Sequence, residues 1–370
     1  MKILQQDNIG SHYRAAIYCL MDKELDCDFC FGDKVDDIKK MDYSLLKHNV
    51  FELHNKRIGH GFYYQNGFLN FLRKDYSTYI LVGETRCLST WMFCLCARLF
   101  HPQKKVYFWT HGWYGKETGK EKFLKKIFLR LPNGGCFLYG NHAKELMVKE
   151  GFNPDKLFVI HNSLDYDAQL PLRQELEIKP IYSEHFANDN KNIVFIGRLT
   201  KVKRFDLLID AVSQLKECGE YVNVTFIGDG VERKNMEAMV EEKGIKDQIW
   251  FYGACYDEKT NAELIYNADL CVSPGNIGLT AIHVLMFGCP AVTNNDFSHQ
   301  MPEYEAIQEG KTGAFFNHDD STSLAGVISN WFAKYGNERE RIRSYCYKEI
   351  DTGWNPHNQV ALIKRIVDNK

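Results

Sequence analysis

The second half of the chain alternates short apolar runs with amphipathic stretches. Five apolar runs predict β-strands: Ile193–Ile196, Val222–Ile227, Ile249–Tyr252, Leu270–Ser273 and Ala291–Thr293. Between them, apolar residues at helical spacing predict three helices: Asp206–Glu217, Val231–Lys243 and Asn261–Asn267. This alternation is typical of βαβ units, in which helices cover both faces of a parallel sheet. Such a sheet binds its ligands at the carboxyl ends of its strands.

The first half carries the same signals less regularly. Four runs predict strands: Tyr79–Val82, Val106–Trp109, Cys136–Tyr139 and Leu157–Ile160. Ala143–Glu150 predicts a helix, which Gly151 ends. The longest apolar run, Thr90–Phe100, is too short to cross a bilayer and contains Arg98, so we expect a buried helix. Residues 166–190 hold Pro171 and Pro180 without a clear period, which indicates a connection between domains.

Composition sets the class of protein. A chain of 370 residues, 45% apolar and 25% charged, has room for two globular domains. The net charge of -2 argues against a general nucleic-acid binder. The first residues contain no continuous apolar segment, so we expect no secretory signal, and twelve cysteines then indicate free thiols in a reducing cytosol. Cys27 and Cys30 form a CxxC without a second pair, which favours thiols over a zinc site.

Two segments carry the candidate chemistry. Arg198 and Lys203 follow the first strand of the second half, and a glycine-rich helix start around Gly278 and Leu279 follows a later strand. Cations neutralise phosphates, and unpaired N–H groups at a helix start face an anion with the helix dipole behind them. The pairing predicts a diphosphate site. The alternative for Arg198 and Lys203 is a solvated basic turn.

From Lys191 to about Phe316 the sequence resembles the nucleotide-sugar domain of the GT-B glycosyltransferases, in the family 4 group also described as glycosyltransferase group 1. The matching motifs, in chain order, are Gly197-Arg198-Leu199 with Lys203, Gly228-Asp229-Gly230, Phe251-Tyr252-Gly253, Gly278-Leu279 with Gly288 and Pro290, and Glu305-Ala306-Ile307 with Gly310-Lys311-Thr312-Gly313. The first half matches more faintly, at His111-Gly112, at Val159–Ser163 and at Gly10.

The resemblance implies an α/β, GT-B fold with two Rossmann-like domains facing each other across a cleft. The expected boundaries are residues 1–165 for an acceptor-side domain, 166–190 for the connection, 191–349 for the nucleotide-sugar domain and 350–370 for a helix that crosses back to the first domain. The implied activity is transfer of a sugar from a nucleoside diphosphate sugar, with UDP favoured, to a hydroxyl of a glycan or lipid-linked saccharide in cell-surface polysaccharide synthesis. Retention of anomeric configuration, a cytoplasmic location, and no metal or cofactor beyond the nucleotide sugar are also expected.

The resemblance also assigns roles to individual residues. Arg198, Lys203 and His111 are the catalytic candidates, and Glu84 and Trp113 are acceptor-side candidates. The donor-binding candidates are Gly10, Gly197, Gly253, Ala254, Asn276, Gly278, Leu279, Thr280, His283 and Glu305. Two positions depart from the family, which usually has glutamates where this chain has Gly275 and His283. A neutral histidine nitrogen can share the ribose contact. Gly275 cannot reach the donor sugar, and Asn276 is its expected substitute.

Several alternatives stay open. His111 and His283 could be packed histidines, Glu305 a surface charge and Glu84 a helix-cap carboxylate. The basic amphipathic stretch Lys116–Arg130 fits either an anionic membrane surface or an ordinary surface helix with extended lysines. Two other functions also remain: a nucleotide-sugar epimerase of the same fold, and a non-catalytic relative that binds sugar nucleotides.

Overall fold

A computed structural model describes residues 2–35 and 38–368, and the chain divides into two units. The first unit contains Met1–Asp165 and Asn355–Lys370, and the second contains Tyr166–Trp354. Each unit is built on one large parallel sheet. The predicted α/β class with parallel sheets in two domains is confirmed.

In the first unit, seven strands within the described residues form a parallel sheet. They are β1 (Ile3–Asp7), β2 (Cys27–Gly32), β3 (Val50–Leu53), β6 (Thr78–Val82), β7 (Lys105–Thr110), β8 (Gly135–Leu138) and β9 (Leu157–Val159), in the order β3-β2-β1-β6-β7-β8-β9. An antiparallel hairpin of β4 (Asn55–Gly59) and β5 (Phe62–Gln65) stands apart from it. The helices that connect these strands are α1 (Ala15–Glu24), α2 (Leu88–Phe100), α3 (Gly119–Phe128) and α4 (Asn141–Lys149).

The central strand β1 is polar, and the apolar pattern does not predict it. Gln5 and Gln6 are fully buried there. The Gln6 amide donates to the side-chain oxygen of Gln65 at 2.8 Å and accepts from the backbone N–H of Val82 at 3.1 Å. Because buried amides are stabilised by hydrogen bonds, these contacts explain how Gln6 occupies an interior strand of the sheet.

The CxxC cysteines lie in β2, and both side chains are buried in the core of the first unit. Burial raises the pKa of the Cys27 and Cys30 thiols. These properties fit the predicted core thiols. Within residues 2–35 and 38–368, no group of three or more His, Cys, Asp or Glu side chains is arranged to hold a metal ion.

The second unit has a six-stranded parallel sheet within the described residues. Its strands are β10 (Lys191–Ile196), β11 (Val222–Ile227), β12 (Ile249–Gly253), β13 (Leu270–Val272), β14 (Ala291–Asn294) and β15 (Gly313–Phe316), in the order β12-β11-β10-β13-β14-β15. Its helices are α5 (Tyr166–Glu175), α6 (Ile181–Phe186), α7 (Phe205–Glu217), α8 (Arg233–Glu242), α9 (Glu258–Asn267), α10 (Thr280–Met286), α11 (Ser321–Tyr335) and α12 (Arg339–Thr352). The five strands predicted in this half agree with the observed bounds to within two residues.

Residues 166–190 differ from the expected irregular connection, because they form α5 and α6 and are part of the second unit. The Arg173 guanidinium on α5 makes two bonds to the Asp351 carboxylate on α12, at 2.9 and 3.1 Å. The final helix, α13 (Pro356–Asp368), belongs to the first unit, where Val360 and Ile363 pack in the same core cluster as α1.

The prediction of a buried helix over Thr90–Phe100 is wrong for one side of that helix. On α2, Phe93, Cys94 and Ala97 are buried, but Leu99 and Phe100 are 73% and 70% exposed. A helix that is apolar on all sides was expected to be enclosed, and here only one face is covered. In the described part of the chain, no helix is long and apolar enough to cross a membrane.

Candidate functional site

The first element of the candidate site is the loop that follows β10. Gly197 has a positive φ of 142°, and its N–H donates to the Ile227 carbonyl at 3.0 Å. A β-carbon at residue 228 would lie 1.9 Å from the Gly197 carbonyl oxygen, so Gly228 is required by this close approach. Arg198 is exposed, and no hydrogen bond or ion pair engages its guanidinium within the described residues. Arg198 is therefore a cation of this loop that is available to a ligand.

Lys203 is held differently from Arg198. Its ammonium donates to the carbonyl oxygens of Asn276 and Ile277, at 2.5 and 3.4 Å. Burial lowers the pKa of this ammonium below its ordinary value. The loop after β10 is therefore bound to the segment that precedes α10. Lys203 orients that segment.

The same contact explains the glycine at residue 275. Its N–H donates to the Lys203 carbonyl at 2.9 Å, and a β-carbon there would lie 1.9 Å from the Val202 carbonyl oxygen. With this backbone, residue 275 has no room for any side chain, including the glutamate that the family usually has. The departure from the family pattern is thus part of how the two segments pack.

Gln300 holds the segment from the other side, and the motifs did not predict it. Its amide nitrogen donates to the Gly275 carbonyl at 3.0 Å, and its amide oxygen accepts from the Ile277 N–H at 3.0 Å. Gln300 is buried. A buried amide with both ends bonded fixes the backbone on either side of Asn276. The Asn276 side chain itself donates to the His299 carbonyl at 3.0 Å.

The segment ends at α10, a helix of seven residues. Gly278 has a φ of 55°, and the Thr280 hydroxyl donates to the Ile196 carbonyl at 3.0 Å. Over residues 2–35 and 38–368, no acceptor is found for the N–H groups of Gly278, Leu279 and Thr280. Three donors without acceptors therefore lie beside the β10 end that carries Arg198.

His283, the predicted ribose contact, is paired within the second unit. Its Nε2 lies 2.9 Å from Oε1 of Glu258, which also accepts from the Gln169 amide at 2.7 Å. Burial would raise the pKa of Glu258, but the hydrogen bonds, led by His283, hold that pKa below its ordinary value. Glu258 is a residue that the motifs missed. A carboxylate thus stands beside the position where the family usually has one.

The remaining donor candidates lie at the carboxyl ends of the strands or in a separate turn. Gly253 ends β12, and its carbonyl accepts from the Gly228 N–H at 2.8 Å. Ala254 follows it and is exposed. Glu305 lies in a short 3-10 turn, Pro302–Ala306, and is partly buried.

In the first unit, a cavity of about 380 Å³ lies at the carboxyl ends of β1, β6 and β7. His111 lines it directly after β7. Burial, with smaller effects of Arg14 and Lys125, lowers the pKa of His111 to about 4, so the imidazole is neutral near pH 7. Its Nδ1 is buried and has no hydrogen-bond partner within the described residues. A neutral histidine with an unused ring nitrogen can accept a proton or a hydroxyl hydrogen bond.

A buried charged network forms one wall of this cavity, and the motifs did not indicate it. The Arg14 guanidinium donates to the Asp7 carboxylate at 2.5 Å, and the Tyr18 hydroxyl donates to the same oxygen at 2.7 Å. Burial alone would lower the pKa of Arg14, but Tyr18 and Asp7 raise it. Arg14 also lies 5.1 Å from the centre of the Trp109 ring. Arg14 therefore stays charged, and its charge is balanced by Asp7.

The other first-unit candidates differ in position. Glu84 lines the cavity and accepts from the Tyr63 hydroxyl at 2.9 Å and from the Asn8 amide at 3.3 Å. Trp113 is buried in the core, so its ring serves packing, and the neighbouring Tyr114 lines the cavity instead. Gly10 is enclosed by aromatic rings; a β-carbon there would lie 2.6 Å from the ring of Tyr43.

Known proteins resemble the chain in sequence and in fold. Residues 180–349 match the family model described as glycosyl transferases group 1. A relative described as an uncharacterized 41.2 kDa protein in the cps region of Klebsiella pneumoniae is 23% identical over 277 residues, which cover 72% of this chain and 73% of that protein.

Two solved structures are similar over the whole chain. Anabaena Alr3699/HepE, crystallised with UDP, aligns with a TM-score of 0.72 and 17% identity over 100% of both chains. The lipopolysaccharide outer core galactosyltransferase WaaB aligns with a TM-score of 0.75 and 13% identity over 100% of this chain and 99% of that one. At these identities, the structural likeness shows the fold, which is GT-B. Residues 180–349 thus match the group 1 glycosyltransferase family, and this match supports a glycosyltransferase.

Proposed function

We propose that the chain transfers a sugar from a nucleoside diphosphate sugar, with UDP favoured, to a hydroxyl of a glycan or lipid-linked saccharide in cell-surface polysaccharide synthesis. One observation carries the proposal: the exposed Arg198 and the unpaired N–H groups of Gly278–Thr280 lie on two segments that Lys203 binds together. Anabaena Alr3699/HepE was crystallised with UDP, which supports a UDP donor.

The proposed chemistry follows from the charge that develops on the leaving group. As the bond to the sugar breaks, the nucleoside diphosphate gains negative charge on its outer phosphate. Arg198 and the three N–H groups would stabilise that charge more in the transition state than in the bound donor. Lys203 would hold the Asn276 carbonyl so that the N–H groups keep their direction. Retention of anomeric configuration is part of the proposal.

The acceptor would bind in the first unit, at the cavity that His111 lines. The neutral imidazole would bond a sugar hydroxyl in that cavity, and Glu84 is a second acceptor-side group. Two similar proteins support a cell-surface saccharide as the acceptor. One is described as a protein in the cps region of Klebsiella pneumoniae, and the other is a lipopolysaccharide outer core galactosyltransferase. We place the reaction at the cytoplasmic face of a membrane, where a lipid-linked acceptor would be met.

A transfer assay tests the proposal. Purified protein is incubated with UDP-glucose, UDP-galactose, UDP-N-acetylglucosamine or GDP-mannose, with and without a lipid-linked saccharide extract. The proposal predicts release of nucleoside diphosphate that needs the extract and a product heavier by one sugar. An isomeric nucleotide sugar formed from the donor alone would indicate an epimerase instead. Donor binding without turnover in any extract would indicate a non-catalytic relative.

A further inference from the structure

Helices α2 and α3 present apolar side chains at the surface of the first unit. Of the eighteen large apolar side chains exposed within the described residues, seven lie on these two helices. They are Met92, Leu95, Leu99, Phe100, Phe123, Leu124 and Ile127, and they define the α2–α3 surface. An apolar patch on this scale marks a surface with a partner.

The two helices adjoin each other through one aromatic contact. The Trp91 ring of α2 lies 4.9 Å from the Phe128 ring of α3. On α2, residues 92, 95 and 99 follow the spacing of three and four that puts side chains on one helix face. The opposite face, which includes Phe93 and Ala97, covers the sheet. The exposed side chains are therefore additional to those that stabilise the core.

The same part of the chain carries strong positive charge. Residues 98–130 contain nine lysines and arginines and two glutamates, whereas the whole chain has a net charge of -2. Part of the charge is compensated: Lys122 and Lys126 both pair with Glu150, and Lys125 pairs with Glu117. Arg98 and Lys120 are exposed. A surface that combines apolar side chains with excess positive charge is complementary to anionic lipid.

A basic cavity of about 130 Å³ adjoins the ends of both helices. Arg98, Arg130 and Lys156 line it. The Arg130 guanidinium donates to the Gly151 carbonyl at 3.1 Å, and the Lys156 ammonium donates to the Asn133 carbonyl at 3.1 Å. These bonds fix two cations at the rim. The cavity has several times the volume of about 30 Å³ that one water molecule occupies in the liquid, which leaves room for a phosphate group.

We propose that the α2–α3 surface docks on an anionic phospholipid bilayer, with the basic cavity holding a headgroup phosphate. A second copy of the chain fits less well, because pairing through this surface would bring two positive regions together. The thirteen residues of α2 are too few to span a bilayer, so the helices would lie in the interface with their apolar side chains among the lipids. This proposal goes beyond sugar transfer and can fail while the transferase assignment holds.

Co-sedimentation of the full chain with vesicles tests the docking. We expect sedimentation with vesicles of phosphatidylglycerol and phosphatidylcholine, little with phosphatidylcholine alone, and weaker binding as salt is raised. Leu99→Glu with Phe100→Glu should reduce binding about tenfold or more by removing apolar insertion. Arg98→Gln with Arg130→Gln should reduce it about tenfold by removing headgroup contacts. If the Arg130 change prevents folding, Arg98→Gln alone should still weaken binding several-fold.

The controls carry substitutions of the same kind on the second unit. Ile178→Glu alters an apolar side chain that is 73% exposed, and Lys234→Gln with Lys348→Gln removes two exposed charges. These variants should bind vesicles like the unaltered chain. The proposal is overturned if anionic vesicles do not bind, if phosphatidylcholine binds equally, or if the controls lose as much binding. It is also overturned if the chain is a dimer that Leu99→Glu with Phe100→Glu makes monomeric, because the surface would then join two copies.

Discussion

The backbone N–H of Gly275 donates to the carbonyl oxygen of Lys203 at 2.9 Å. This bond brings the loop after β10 against the segment that starts α10, and the Lys203 ammonium returns to the Asn276 carbonyl at 2.5 Å. The two segments that the motifs assign to a diphosphate are therefore one structural unit. The absence of a side chain at residue 275 is what permits it.

Gly275→Ala should disrupt this unit. The added β-carbon would lie 1.9 Å from the Val202 carbonyl oxygen, so one of the two segments must move. We expect a loss of about 1–3 kcal/mol in the free energy of unfolding and a larger proportional loss of transfer activity. Gly326→Ala on α11 is the matched control, because a β-carbon there meets nothing within 4 Å. The control should be neutral or stabilising by about 0.5–1 kcal/mol. Equal effects of the two changes in denaturant unfolding would contradict the packing argument.

Arg198→Ala should weaken catalysis without weakening the fold. The guanidinium is exposed and unpaired in the described part of the chain, so its removal costs little stability. If it stabilises the departing phosphate, its removal should cost about 2–4 kcal/mol of transition-state stabilisation, measured as a fall in kcat/KM. Lys201→Ala removes an exposed cation three residues away and is the control. Unchanged turnover for Arg198→Ala in steady-state kinetics would refute the assignment.

His111 should make stability depend on pH in a defined direction. Its pKa is about 4 in the folded chain, against an ordinary value of 6.5. Between these values the unfolded chain binds the proton and the folded chain does not, so the free energy of unfolding rises with pH from about 4 to about 6.5. Below pH 4 both states bind the proton, and the stability contributed by the neutral His111 ring is lost. His161, whose pKa burial also lowers to about 4, adds a slope of the same sign.

His111→Gln should therefore reduce this slope without abolishing it. Urea unfolding at pH 5 and pH 7 measures the difference, to which His111 contributes at most about 2 kcal/mol. The variant should also lose transfer activity. An unaltered pH slope, or titration of the His111 ring near pH 6.5 by NMR, would contradict the burial argument.

His283→Ala should affect donor binding more than stability. It removes one of the side chains that bond Glu258, while Gln169 remains, so we expect a loss of about 1 kcal/mol in stability. If the pair contacts the ribose, KM for the nucleotide sugar should rise about tenfold. His54→Ala is a comparable change in the first unit, where the ring pairs with Asp33 at 2.6 Å on an exposed surface. A similar KM for both variants would remove His283 from the donor site.

Five of the six strands described for the second sheet could be predicted, because they are apolar and the helices between them are periodic. Strand β1 could not, because Gln5 and Gln6 look like surface residues, and the Gln6 amide is bonded by Gln65, which lies far away in the chain. The exposed side of α2 was missed for a related reason. Apolar periodicity shows which residues can be buried, and packing decides which of them are.

The candidate site, too, could be predicted from the sequence only in part. Motif spacing was enough to group Arg198, Lys203 and the start of α10 in one hypothesis. It could not show that Lys203 bonds a backbone carbonyl, nor that Glu258 stands beside His283. The Arg14–Asp7 pair was also invisible, since neither residue belongs to a recognised motif and the pair forms only when β1 and the start of α1 meet.

Nucleotide binding to the second unit is the most direct test of the central claim. Thermal unfolding of the full chain would be followed with UDP, GDP, dTDP and CMP, for the unaltered protein and for Arg198→Ala. A ligand that binds only the folded state at about a hundred times its Kd adds about 2.7 kcal/mol of stability. The account predicts that a nucleoside diphosphate, UDP foremost, raises Tm in the unaltered chain and raises it markedly less in Arg198→Ala. If no nucleotide raises Tm, or if the increase is the same in both proteins, the proposed diphosphate site is contradicted.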